Sequence, residues 1–114
     1  MKKQLIMFSV AVIVLSAFVR LPQNQPAITA PEIPAAVNAL LTKNGCVACH
    51  TIDHKLVGPS WQDIAAKKYS KKRILELVAK PEPGNWPGYP PMAPLPTAPK
   101  EDLNSIAAWL VKMK

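Results

Sequence analysis

At 114 residues, with 49% apolar and 18% charged side chains, the chain can hold one small globular domain at most. Its formal net charge is +7, but Lys2, Lys3 and Arg20 fall in residues 1–30, which carry no acid; residues 31–114 hold 11 basic and 7 acidic residues, a net of +4. That excludes the dense basic face of a nucleic-acid binder and suits weak steering toward acidic partners.

Lys2 and Lys3 precede an apolar run of 15 residues, Leu5 to Val19, which Arg20, Leu21 and Pro22 end. A basic start followed by an apolar stretch is the pattern of an export signal. The run falls short of the ~20 residues that a spanning helix needs. Its cleavage sites are poor: Leu15 precedes Ser16-Ala17-Phe18, and Ile28-Thr29-Ala30 runs into Pro31. Residues 1–30 are therefore expected to be a cleaved signal peptide, or a retained membrane anchor through residues 5–19 with its linker. Either one puts residues 31–114 in the periplasm. No cysteine closes the run, so a lipid anchor is not expected. Pro22, Pro26 and Pro31 make residues 20–33 an extended linker.

Pro34 suits a first helical position. Ala35 to Asn44 reads as a helix with Val37, Leu40 and Leu41 on one face, and Gly45 ends it. Cys46-Val47-Ala48-Cys49-His50 follows at once, and it has the C-x-x-C-H form of c-type haem attachment. Each thiol can add to one haem vinyl group, and the adjacent His50 can offer an imidazole nitrogen to the iron. Cys46 and Cys49 are the only cysteines, so one motif consumes both. A domain this small usually needs a staple. One covalently held haem c would provide it as a large apolar centre.

Thr51 to Ser60 reads as a loop closed by Gly58-Pro59. Trp61 to Lys67 is a short helix with Trp61, Ile64 and Ala65 on one side. Ser70 is a good N-cap for a helix over Lys71 to Lys80, which buries Ile74, Leu77 and Val78 before Pro81 stops it. Residues 81–99 carry eight prolines, a density that predicts neither helix nor strand. Trp86, Tyr89, Met92 and Leu95 lie among them and are costly to leave in water, so the stretch reads as a rigid ordered loop. Thr97 is the expected cap of a last helix, Ala98 to Lys112. Its apolar face is Leu103, Ile106, Ala107 and Leu110, and Glu101, Asp102 and Lys112 match the helix dipole. The expected fold is all-α, with no strand pattern and no repeat.

A haem on His50 needs its other face closed, and methionine sulfur is a common choice that raises the reduction potential. Met1 and Met7 lie in the N-terminal segment and Met113 beside the C-terminus. Met92 sits in the proline loop, where Pro90, Pro91 and Pro94 lower the entropy cost of fixing a ligand. The plainer reading of Met92 is a core filler. His54 is the rival ligand, but a tether of four residues from His50 is short for crossing the macrocycle edge, and a solvated loop histidine is the reading preferred. Cys46, Cys49, His50 and His54 could also bind zinc, though zinc fingers place about a dozen residues between the pairs. A redox dithiol would want a βαβ setting that is lacking.

The order of helix, C-x-x-C-H, Gly-Pro, two short helices, methionine loop and final helix resembles class I cytochrome c. It is most similar to the small bacterial monohaem cytochromes of the c-551/c-552 type, over about residues 34–113. The resemblance implies four to five short helices wrapped round one haem. It also implies that the carbonyl of Pro59, in Val57-Gly58-Pro59-Ser60-Trp61, accepts a hydrogen bond from the His50 ring. Trp86, in Trp86-Pro87-Gly88-Tyr89-Pro90-Pro91-Met92, would reach a haem propionate through its ring nitrogen. Leu103 to Leu110 resembles the C-terminal helix that crosses the N-terminal one, while Trp61 and Trp109 read as packing residues.

The function implied is electron transfer between redox partners on a haem held by His50 and Met92, with no catalytic residues. Docking would be transient, at the haem edge near Val47 and Ala48. Lys43 and Lys55 could steer an acidic partner or serve only solubility, and the cluster Lys67, Lys68, Lys71, Lys72 and Arg73 reads as a solvated face. The domain could be a free monomer or a tethered subunit of a larger redox complex. A peroxidase-like enzyme would require Met92 to be off the iron.

Overall fold

The computed structural model describes residues 32–113. The expected signal or anchor and its linker, residues 1–30, lie outside the described residues. Among the described residues, four α-helices carry the fold: α1 Ala35–Lys43, α2 Trp61–Ala66, α3 Lys71–Ala79 and α4 Lys100–Lys112. Single 3₁₀ turns occupy Cys46–Ala48 and Pro83–Asn85. Among the described residues there is no strand, only an isolated antiparallel bridge between His50 and Lys55, and no helix is long and apolar enough to cross a membrane.

Local chemistry sets the helix ends. Ser60 caps α2: its hydroxyl accepts from Asp63 N–H at 3.0 Å and donates to the Asp63 carboxylate at 2.8 Å. Ser70 caps α3 by accepting from Arg73 N–H at 3.1 Å. Gly45, at φ 72°, takes the left-handed turn that follows α1. Pro34 is the cap of α1 and not its first helical residue. Thr97 does not cap the last helix, which begins at Lys100 with Pro99 before it and no side-chain cap. Ala98 precedes a proline, and the proline ring disfavours helical geometry there, so the helix cannot start at Ala98.

The core is Leu41 of α1, Trp61 of α2, Ile74 of α3, and Ile106, Ala107 and Leu110 of α4. Helix α4 packs against each of the other three. At its first turn, the Asp102 carboxylate accepts from Asn44 Nδ2 at 3.0 Å and pairs with Lys43 Nζ at 2.9 Å. Those contacts join the C-terminal end of α1 to the start of α4. The Lys43 ammonium and the Asn44 amide hold the Asp102 carboxyl below the usual carboxylate range.

The proline stretch is an ordered loop, as expected, with one element that the proline count hid: the turn at Pro83–Asn85, where proline fits a first helical position. Trp86-Pro87-Gly88-Tyr89 follows as a type II turn. Tyr89 N–H donates to Trp86 C=O at 3.2 Å, and Gly88 has φ 85°, which favours glycine at the third position. Leu95 N–H donates to Val78 C=O at 2.9 Å and ties the loop to α3.

Candidate functional site

The turn at Gly45 directs the chain from α1 into Cys46–Ala48, where Cys49 and His50 N–H both donate to Cys46 C=O, at 3.2 and 3.1 Å. That turn presents Cys46, Cys49 and His50 to one cavity of about 390 Å³, a size typical of ligand sites. The His50–Lys55 bridge closes the loop that follows. Gly58 N–H then donates to Cys49 C=O at 2.7 Å, and Trp61 N–H to Thr51 C=O at 2.8 Å.

His50 is fixed on two sides. Its Nδ1 lies 2.7 Å from the Pro59 carbonyl. A carbonyl can only accept, so Nδ1 carries the proton and Nε2 keeps a free lone pair. The Trp61 ring stacks beside it, with centroids 4.6 Å apart at 33°, and meets Trp109 edge-on at 5.9 Å. Burial pushes the imidazole below its ordinary pKa, against the opposing pull of the Pro59 carbonyl. The neutral form, which ligates metals, is thereby favoured.

Gly58 makes this approach possible. A Cβ there would sit 2.6 Å from His50 Cε1 and 2.9 Å from Nδ1. Sequence reading placed Gly58 in a turn and missed that role; its place one residue before Pro59 was the available signal. Trp61 was expected to pack, and it does, at 5% exposure. Its stacking on His50 had no separate signal in the sequence.

The other cavity walls are apolar side chains of α3 and α4, among them Leu77, Val78, Leu103 and Ile106, together with Trp86, Tyr89 and Met92 from the proline loop. Met92 and His50 therefore line the same space. His54 does not: it is exposed, its Nδ1 is 2.8 Å from the Asp53 carboxylate, and it lines no part of the cavity. Among the described residues no group of three or more Cys, His, Asp or Glu side chains gathers as a metal site, so the zinc arrangement has no support. Burial, helped by the charge of Cys49, raises the Cys46 thiol pKa against a backbone hydrogen bond that lowers it. A redox-active dithiol needs the opposite shift.

Three of the surface lysines have partners. Lys43 is paired with Asp102, and Lys55 lies over the Tyr89 ring, 4.2 Å from its centroid. Both were read as steering an acidic partner or serving only solubility, and each has a structural contact besides. Lys67, read as part of a solvated face, has its Nζ 4.7 Å from the Trp86 ring centroid.

The cavity suits a haem. Its walls are largely apolar, both thiols of the attachment motif and a neutral imidazole open on it, and Trp61, which also lines it, has a buried Nε1 with no acceptor among the described residues. The cytochrome c family model matches residues 34–114. The chain belongs to the cytochrome c family. It is 38% identical over 79 residues to cytochrome c-551 of Pseudomonas denitrificans, a span covering 66% of this chain and 94% of that protein. It is 32% identical over 89 residues to cytochrome c-551 of Allochromatium vinosum, covering 75% and 94%. The crystal structure of Nitrosomonas europaea cytochrome c552 superposes with a TM-score of 0.61 at 32% identity, covering 68% of this chain and 99% of that one. The cytochrome is thus a small class I, all-α monohaem protein with one haem c bound covalently through Cys46 and Cys49. Electron transfer is its work, and it is not an enzyme.

Proposed function

We propose that His50 and Met92 are the two axial ligands of the iron, and that the protein carries one electron at a time between respiratory redox partners in the periplasm. The observation that carries this reading is the shared cavity: His50, with its Nε2 lone pair free, and Met92 line one apolar space. When bound, the haem supplies a one-electron Fe(II)/Fe(III) couple, and its axial ligands are a main lever on potential.

The chain's own residues do the rest. Pro59 holds the His50 ring in one orientation and one tautomer, and such support raises ligand basicity. Leu77, Val78, Leu103 and Ile106 exclude water, which favours the less charged ferrous state. Trp86 lines the cavity, which supports its role as a donor to a propionate. Val47 is exposed within the attachment motif, and Leu56 and Val57 are exposed as well, apolar surface suited to brief docking of a monomer. Residues 1–30 would either be removed on export or tether the domain, alone or as a subunit of a redox complex.

Replacing Met92 with Ala in the holoprotein tests the ligand assignment. The sulfur-to-iron charge-transfer band should vanish and the potential should fall. An unchanged spectrum would show that another group closes the iron. Mass spectrometry of the exported protein reads the haem addition and the fate of residues 1–30 together.

A further inference from the structure

We propose that Lys55 and Lys67 are positioning residues for Met92: their ammonium groups hold the Trp86–Tyr89 pair from its two ends and keep the methionine loop closed. This rests on the assignment of Met92 as an axial ligand. The two rings meet edge to face, with centroids 5.9 Å apart at 81°. Lys55 Nζ lies 4.2 Å from the Tyr89 centroid and donates to Gly88 C=O at 3.1 Å. Lys67 Nζ lies 4.7 Å from the Trp86 centroid and donates to Asn85 C=O at 3.3 Å. Each lysine thus grips a ring and the carbonyl of the residue just before it, a combination that plain solubility does not require.

The placement of the two lysines gives the grip its consequence. Lys55 is bridged to His50 through the backbone, and Lys67 ends α2, whose first residue stacks on His50. Both therefore start from the histidine side and reach the methionine side. Tyr89 is separated from Met92 only by Pro90 and Pro91, which have fixed φ and no N–H, so a displacement of Tyr89 is passed on to Met92. Among the described residues, the only backbone hydrogen bond from residues 82–98 to the rest of the fold is Leu95 to Val78. It lies beyond Met92, so the approach to Met92 depends on side chains. A cation over an exposed aromatic face shifts a closing equilibrium about two- to fivefold, and two such grips act together.

Imidazole binding to the ferric holoprotein reads this directly. A neutral ligand that competes for the methionine position binds only the open loop, so its apparent affinity scales with the open fraction. Lys55→Gln/Lys67→Gln should bind imidazole about tenfold more tightly, and its charge-transfer band should fade at lower temperature. Lys55→Arg/Lys67→Arg should stay near wild type, because guanidinium also stacks on aromatic faces. Lys71→Gln/Lys112→Gln removes the same charge from two positions that stack on no ring among the described residues, and should also match wild type. A wild-type band with unchanged imidazole affinity in the first variant would overturn the clamp alone. An equal gain in the Lys71/Lys112 variant would reduce it to net charge and overturn it too. Absence of the band from the wild-type protein would overturn the ligand assignment and the clamp with it.

Discussion

Residues 46–61 and residues 81–99 both reach the haem cavity, yet Gly58, Pro59, Ser60 and Trp61 are buried while Pro90 through Pro94 are exposed. The histidine side is held by backbone hydrogen bonds within about ten residues, by a stacked indole and by close packing. The methionine side is held by lysines over rings, one ion pair and a single backbone tie. Buried packing is strong and insensitive to salt, whereas exposed charge contacts are individually weak and screened. One side should therefore set the stability of the fold, and the other, under the proposed ligation by Met92, the ease with which that sulfur leaves the iron.

The largest expected effect lies on the histidine side. Trp61 is in the core, packs on His50 and meets Trp109. Trp61→Ala should cost about 3–5 kcal/mol in denaturant unfolding of the holoprotein. Trp86→Ala, at a half-buried position on the methionine loop, should cost clearly less; equal losses would break the contrast between the two sides. Gly58→Ala comes next, at about 1–3 kcal/mol, because the new methyl overlaps the His50 ring and must displace it. That displacement also weakens the Pro59 hydrogen bond, so imidazole donation falls and the potential should rise. A destabilised variant with an unchanged potential would mean that the backbone, not the ring, gave way.

How these two segments read in the sequence follows from the same difference. C-x-x-C-H and Gly58-Pro59 act locally, so their chemistry shows in their spacing, and the Ser70 cap falls where expected. Helix ends shifted by one residue, as fraying ends do, and α4 started late because Ala98 precedes Pro99. The contacts of Lys43, Lys55 and Lys67 were not legible. A lysine on the surface has the same sequence signature whether it is free, paired with a carboxylate or laid over an indole. Partners such as Asp102, 59 residues from Lys43, are found only after folding. The cavity itself was legible only in part. Met92 stood out by elimination, whereas the need for a bare backbone at Gly58 depends on where the His50 ring lies.

Acid should separate the two sides further. The Lys43 and Asn44 contacts lower the folded pKa of Asp102. A lowered carboxylate pKa contributes stability that is fully present above the unfolded value, about pH 4, and is lost as pH falls through the folded value. Asp102→Asn should therefore lower the melting temperature at pH 7, and the deficit should shrink as the wild type is acidified. Because the contact joins α1 to α4, the readout is global unfolding. A pH-independent deficit would assign the loss to the α4 cap region and not to the ion pair.

Glu82 gives the smallest effect and the sharpest separation. Its carboxylate pairs with Arg73 of α3 and accepts from Asn85 Nδ2 at 3.2 Å, and these contacts, Arg73 foremost, lower its pKa. The sign is that of Asp102: the support exists above the ordinary carboxylate range and disappears as pH falls through the folded value. The place is different, since Glu82 ties the start of the methionine loop to Arg73 of α3, whereas Asp102 ties α1 to α4. Acid should therefore raise the open fraction of the loop, seen as fading of the sulfur-to-iron band and as tighter binding per neutral imidazole once its own protonation is counted, before the fold melts. Glu82→Gln should already show the looser loop at pH 7 and lose that part of the pH dependence. High salt should bring the wild type toward the variant, because the Arg73 pair is exposed. If Glu82→Gln instead lowered the melting temperature as much as Asp102→Asn, the methionine loop would be part of the global folding unit, and the two sides of the haem would not be held independently.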